Sequence, residues 1–177
     1  MKKITSIDLF AGVGGMRISL SKALRRIGYI DECKLYSEIN SYSQQTYNEN
    51  FPETKLIGDI KSIDKKDIDQ MIPDHDILLA GFPCQPFSRA GISKRKNLKR
   101  AYGFEDKDQG NLFFNILDIL NIKKPRAFVL ENVQNLKNHQ GGKLINKILK
   151  ELRKNYYVPE PQVLDAQNFG LAQRRRR

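Results

Sequence analysis

The chain has 177 residues and a mass of 20.4 kDa, and 40% of its residues are hydrophobic, enough for one domain with a sizeable core. No apolar stretch approaches the roughly 20 residues that cross a bilayer. Asp8 breaks the apolar run behind Met1, Lys2 and Lys3 before it reaches the length of a secretion signal, so a cytoplasmic protein with no membrane partner is expected. Thirty-one Lys and Arg against twenty Asp and Glu give a net charge of +11 and a pI near 9.7. That excess suits a polyanionic partner or, equally, a solvated lysine-rich surface; the basic clusters at 94–100 and 174–177 tilt the balance to the partner. Cys33 and Cys84 form no metal-ligand spacing, and both are expected to be reduced.

Residues 4–10 read as a buried strand, followed by glycines and a helix over 16–27. Apolar residues at 16, 20, 23, 24 and 27 keep a helical period, and Gly28 supplies the stop. A short strand is predicted at 34–37, then a helix through Tyr42 and Tyr47 that ends before Pro52. Strands at 55–57 and 75–80 come next, and beyond the basic loop a helix near 111–122 and a strand at 127–130. The stretch 143–153 is helical, with apolar residues at 144, 145, 148, 149 and 152, and 158–164 reads as a last strand. Such alternation predicts an α/β fold: a mostly parallel sheet with helices on both faces, whose ligands bind beyond the carboxyl ends of the strands. The chemically distinctive residues sit at those ends: 10–15, Glu38, Asp59, 82–85 and Glu131.

Five constellations carry chemistry. In "DLFAGVGG", residues 8–15, glycines between strand and helix let backbone approach a ligand, although Arg17 stands where a dinucleotide fingerprint needs its third glycine; a plain tight turn is the competing reading. Glu38, ending the next strand, is placed to accept from both hydroxyls of a ribose, or is an ordinary exposed glutamate. Asp59 could accept from an adenine amino group while Ile60 lies on the ring, or it could cap a turn. Cys84 stands between Pro83 and Pro86, which restrict its backbone as a fixed nucleophile requires; a buried structural cysteine is the commoner role. Glu131, directly after a predicted buried strand, suits protonation of a ring nitrogen if burial raises its pKa. In "DAQNFGLAQRRRR" the arginines suit a phosphate or a base carbonyl, or form a basic tail.

In chain order, Phe10-Ala11-Gly12-Val13-Gly14-Gly15, Pro83-Cys84-Gln85, Glu131-Asn132-Val133 and Gln173-x-Arg175-x-Arg177 resemble the signatures of the cytosine-5 DNA methyltransferases. Asn50-Phe51-Pro52, Gly58-Asp59-Ile60, Gly110-Asn111-Leu112-Phe113 and Asn168-Phe169-Gly170 add support, so the resemblance spans nearly the whole chain. It implies a Rossmann-like methyltransferase fold, S-adenosylmethionine as methyl donor, and a cytosine flipped out of double-stranded DNA as acceptor. It also implies that Cys84 attacks carbon 6 of the ring, that Glu131 engages nitrogen 3, and that Arg175 and Arg177 steady the base. The cofactor would be held by Phe10, Gly12, Gly14, Glu38, Ile39, Asp59, Ile60 and Leu112. Residues 92–108 fall where the family has a mobile loop that closes over the base.

Gln109 and Ala172 depart from a common arginine and proline of the family. Family members also continue beyond the position of Arg177 with another strand, a target-recognition region and a C-terminal helix. The expectation is therefore the N-terminal catalytic part (1–177) of a bacterial restriction–modification or phage-like enzyme. It would be inactive alone and restored by a complementary C-terminal polypeptide, and its cognate restriction enzyme would act without direct contact. An RNA cytosine-5 methyltransferase, a non-catalytic cofactor- or DNA-binding fragment, and, less in keeping with Arg17, a nicotinamide oxidoreductase are the other readings.

Overall fold

The computed structural model describes residues 1–83 and 112–177, apart from the side chain of Gln140. The chain divides into two compact units, Met1–Phe82 with Phe114–Leu130, and Pro83–Phe113 with Glu131–Arg177.

The first unit is built on a five-stranded, mostly parallel sheet in the order β3-β2-β1-β4-β5. Its strands are β1 (Lys2–Leu9), β2 (Tyr29–Ser37), β3 (Lys55–Leu56), β4 (Ile77–Gly81) and β5 (Ala127–Glu131, whose last residue falls in the second unit). β1 pairs in parallel with β2 and with β4, and β2 with β3. Successive residues of a strand point to opposite faces. Ser6, Ile7, Asp8 and Leu9 on β1 and Leu78, Leu79 and Ala80 on β4 are nevertheless all buried, so both faces of the central strands are covered. β5 is different: Val129 is 50% exposed, which leaves that strand half-open rather than buried as its apolar sequence predicts.

Helix α1 (Gly15–Arg26) starts after Gly14 and ends at Gly28, both with positive φ. Leu24 is its buried residue, while Ile27, expected on the same face, lies 67% exposed at the end of the helix. Helix α2 (Ser41–Asn50) is capped by the Asn40 side chain, which accepts from Ser43 N, and it stops at Phe51 ahead of Pro52. A short helix α3 (Ile68–Met71) precedes β4, and α4 (Leu112–Lys123) leads into β5. β2 begins five residues before the predicted strand. Its first half is polar, and its acids are satisfied locally: Asp31 accepts from Ser6 Oγ at 2.6 Å and Ser21 Oγ at 2.9 Å. Hydrophobic periodicity cannot see such a strand.

The second unit holds α5 (Asn135–Asn138) and α6 (Lys143–Leu152). Helix α6 buries Leu144, Ile148, Leu149 and Leu152 as its 3.6-residue pattern predicts, each contributing about 1.5–3 kcal/mol when fully buried. The strand expected at 158–164 does not form. Pro159 and Pro161 lack the N–H groups a ladder needs. Pairing begins only at Leu164, which exchanges both backbone hydrogen bonds with Arg177 (2.8 and 2.9 Å). A single antiparallel bridge, Asp165 to Arg176, follows.

Candidate active site

In the first unit the chain turns sharply after β1. Phe10 takes a φ of 56°, Gly12 55° and Gly14 89°, left-handed values that side chains resist. The turn is tied to the next strand by Ala11 N donating to Ser37 O at 3.0 Å and Gly12 N donating to Glu38 Oε2 at 2.8 Å. Glu38 Oε1 accepts from both Ile39 N and Asn40 N, each at 2.8 Å. A carboxylate offers about four lone-pair sites, so Glu38 keeps one acceptor position, on Oε2. Ser37 Oγ donates to Gly58 O at 2.7 Å and so laces the loop after β3 to the end of β2.

The two sides of the glycine turn are unlike. A Cβ on Gly12 or Gly15 would meet nothing within 4 Å. One on Gly14 would stand 2.7 Å from Phe51 Cε2 and 3.2 Å from Tyr47 Cε2. The turn is open above and floored below by the aromatic end of α2. Tyr47 is fully buried and stacks on Tyr36, ring centroids 3.9 Å apart.

Of the other predicted cofactor residues, Ile39 is 73% exposed, whereas Ile60 is 2% exposed and already part of the core. Asp59 caps a 3-10 turn, its Oδ1 accepting from Lys61 N at 2.9 Å. Leu112 opens α4 and is buried.

Two residues of this region escape a sequence reading. Arg17, notable in sequence only as a missing glycine, donates from Nη1 to Thr54 Oγ1 at 2.7 Å and to Tyr47 Oη at 3.3 Å. Its guanidinium carbon lies 3.9 Å from the centroid of Phe51. Asp8 is fully buried, and neither of its carboxyl oxygens accepts a hydrogen bond. Burial pushes its pKa up to about 7, against the pull of the Arg17 guanidinium.

The second unit brings together Glu131 and Arg177: Arg177 Nε lies 2.8 Å from Glu131 Oε1. Arg177 is held from behind by its backbone exchange with Leu164, and Arg175 by Ala166 N donating to its carbonyl at 3.0 Å. Asp165, which the sequence reading passed over, organises this segment. Its Oδ1 accepts from Arg175 N at 3.1 Å and Gln167 N at 3.3 Å, and its Oδ2 receives Arg176 Nε at 3.0 Å. Desolvation raises the Asp165 pKa, yet the Arg176, Gln167 and Arg175 hydrogen bonds together hold it below the ordinary value. The signal for it was present, an aspartate opening a turn two residues before its amide partner. Cys84, Gln85 and the basic run at 94–100 lie outside the described residues.

Residues 4–177 match the model of the family described as C-5 cytosine-specific DNA methylase. The chain belongs to that family. It is 46% identical over 171 residues to the type II methyltransferase M.NlaX of Neisseria lactamica, an alignment covering 97% of this chain and 49% of the relative. It is 45% identical over 179 residues to M.HaeII of Haemophilus aegyptius, covering 100% and 49%. Among solved structures the S. pombe Dnmt2 methyltransferase superposes with a TM-score of 0.72 at 24% identity, over 98% of this chain and 48% of that one, a likeness of fold. The chain thus spans about half the length of the curated relatives it matches.

Proposed function

We propose that this methylase-family chain methylates carbon 5 of cytosine in DNA, in the setting of a type II restriction–modification system, through a covalent adduct on Cys84. The observation that carries the reading is the Glu131–Arg177 pair at 2.8 Å. It fixes a carboxyl group and a guanidinium side by side at the end of β5, and a flat heterocycle with a ring nitrogen and a neighbouring carbonyl needs that combination.

The open side of the glycine turn and the spare acceptor on Glu38 fit the adenosine end of S-adenosylmethionine. On this reading Phe10, Gly12, Gly14, Glu38 and Ile39 hold it, with Asp59, Ile60 and Leu112 completing the set. When bound, that cofactor supplies an electrophilic methyl group. Because Glu38 has one position left, a ribose offering two hydroxyls either shares it or displaces one of the Ile39 and Asn40 amides.

Cys84 contributes a thiolate that adds to carbon 6, which makes carbon 5 nucleophilic. Glu131 donates to nitrogen 3 and stabilises the charge this addition places on the ring. Arg177 orients Glu131 and, with Arg175, faces the base. After methylation the proton on carbon 5 leaves to a base and the thiolate is expelled, which restores the ring and the free cysteine. The cytosine must first leave the duplex, and the positive balance of the chain favours the DNA backbone.

The test is transfer of labelled methyl groups from S-adenosylmethionine to DNA by this chain supplied with the C-terminal half of a relative such as M.NlaX. The product should be 5-methylcytosine. Glu131→Gln should lower the rate about 100-fold or more, the usual span for a general acid. Label arriving in RNA and not in DNA, or an undiminished rate in Glu131→Gln, would overturn the reading.

A further inference from the structure

The turn from Phe10 to Gly14 is held at both ends by groups that meet in one buried pocket. Asp8 precedes it on β1, in register with Tyr36 of β2 and Leu79 of β4. Arg17 follows it in the first turn of α1. The titratable and charged groups that face Asp8 are Arg17 from α1, Asp31 and Cys33 from β2, Glu38 just beyond β2, and Tyr47 from α2. β4 has no titratable residue.

Donors stand close to Asp8, yet it takes none of them. The Tyr47 hydroxyl lies near, outside hydrogen-bond geometry, and Arg17 sends its Nη1 to Thr54 and Tyr47 and lays its guanidinium on Phe51. A dry, unpartnered carboxylate beside an available guanidinium is costly. The observed arrangement is that of a neutral Asp8. It is also the arrangement in which Tyr47 and Phe51 form the floor under Gly14. An ionised Asp8 would recruit Arg17 and the Tyr47 hydroxyl, and Arg17 would have to leave Thr54 and the Phe51 ring.

We propose that Asp8 is a positioning residue for the glycine turn: its neutral form leaves Arg17 and Tyr47 bracing Gly14, and its ionised form draws them off and loosens the turn. Burial is what brings this titration near neutrality, with Asp31 and Glu38 adding to it and Arg17 opposing. If the turn holds S-adenosylmethionine, as proposed above, affinity falls as pH rises through the titration, by at most about tenfold per pH unit.

The decisive measurement needs no cofactor. Amide spectra of the ligand-free chain between about pH 5.5 and 8.5 should show Gly12 and Gly14 moving with the carboxyl carbon of Asp8. Asp8→Asn should flatten the glycine shifts. Arg17→Met, which removes the opposing cation, should move the midpoint to higher pH, and it decides the matter if Asp8→Asn does not fold. Glycine amides that ignore Asp8, that titrate unchanged in Asp8→Asn, or whose midpoint stays put in Arg17→Met would overturn the proposal. Calorimetry with S-adenosylmethionine over the same range separates the two readings. Affinity that declines in the wild type and is level in Asp8→Asn supports both, level affinity in the wild type counts against the positioning role, and no binding at any pH refutes the cofactor reading while the spectra still judge Asp8.

Discussion

Gly14 and Gly12 sit two residues apart with similar backbone strain and opposite surroundings. Alanine at 14 adds a steric clash with Phe51 to a φ of 89°, whereas alanine at 12 meets open space at a φ of 55°. Urea denaturation should therefore show Gly14→Ala less stable by about 2–4 kcal/mol and Gly12→Ala by only about 1 kcal/mol. Equal losses would mean that the floor yields. Asp8 makes a second prediction at this scale. Its pKa is about 7 when folded against an ordinary 3.8, so between those values the native state holds more protons than the unfolded one. Stability must then fall as pH rises through that window, by up to about 4 kcal/mol, and thermal melts of Asp8→Asn should lack this decline. Sequence could name Glu38 and the glycines because a strand end followed by a turn is a local pattern. It could not name Asp8 and Arg17 as a couple, because their meeting depends on Tyr47, Phe51 and Thr54 arriving from α2 and the loop behind it.

At the scale of elements, periodicity served wherever one face was apolar and the other polar. Helix α6 and β1 lie close to where their patterns put them, and α2 ends at Phe51, ahead of Pro52. It failed where polar partners or prolines decide. The first half of β2 is held by serine hydroxyls on Asp31 and by pairing from Lys2 and Tyr29 onward. The stretch at 158–164 carries valine and leucine but two prolines, and only its end pairs. The Glu131–Arg177 contact was foreseen as two separate residues, and what joins them is the short ladder from Leu164 to Arg177 with Asp165 at its corner. Asp165→Ala removes acceptors from Arg175 N, Gln167 N and Arg176 Nε. Hydrogen exchange at the amides of Leu164, Ala166 and Arg177 should quicken in this variant while α6 stays protected. Unchanged protection at Leu164 and Arg177 would show the ladder to be independent of Asp165.

At the scale of the molecule, a basic chain presents two sets of residues on two compact units: a glycine turn with Glu38 on one, and a carboxylate–guanidinium pair on the other. The family match runs across both. What unites them chemically is the proposed nucleophile, Cys84, which the opening question of any cysteine between two prolines singles out. The most direct measurement is therefore covalent trapping. DNA carrying 5-fluorocytosine blocks the last step, since fluorine cannot leave carbon 5 as a proton does. This chain, supplied with the C-terminal half of a relative and S-adenosylmethionine, should form a denaturation-resistant complex with that DNA, and Cys84→Ala should form none. An adduct of equal yield in Cys84→Ala would contradict the account.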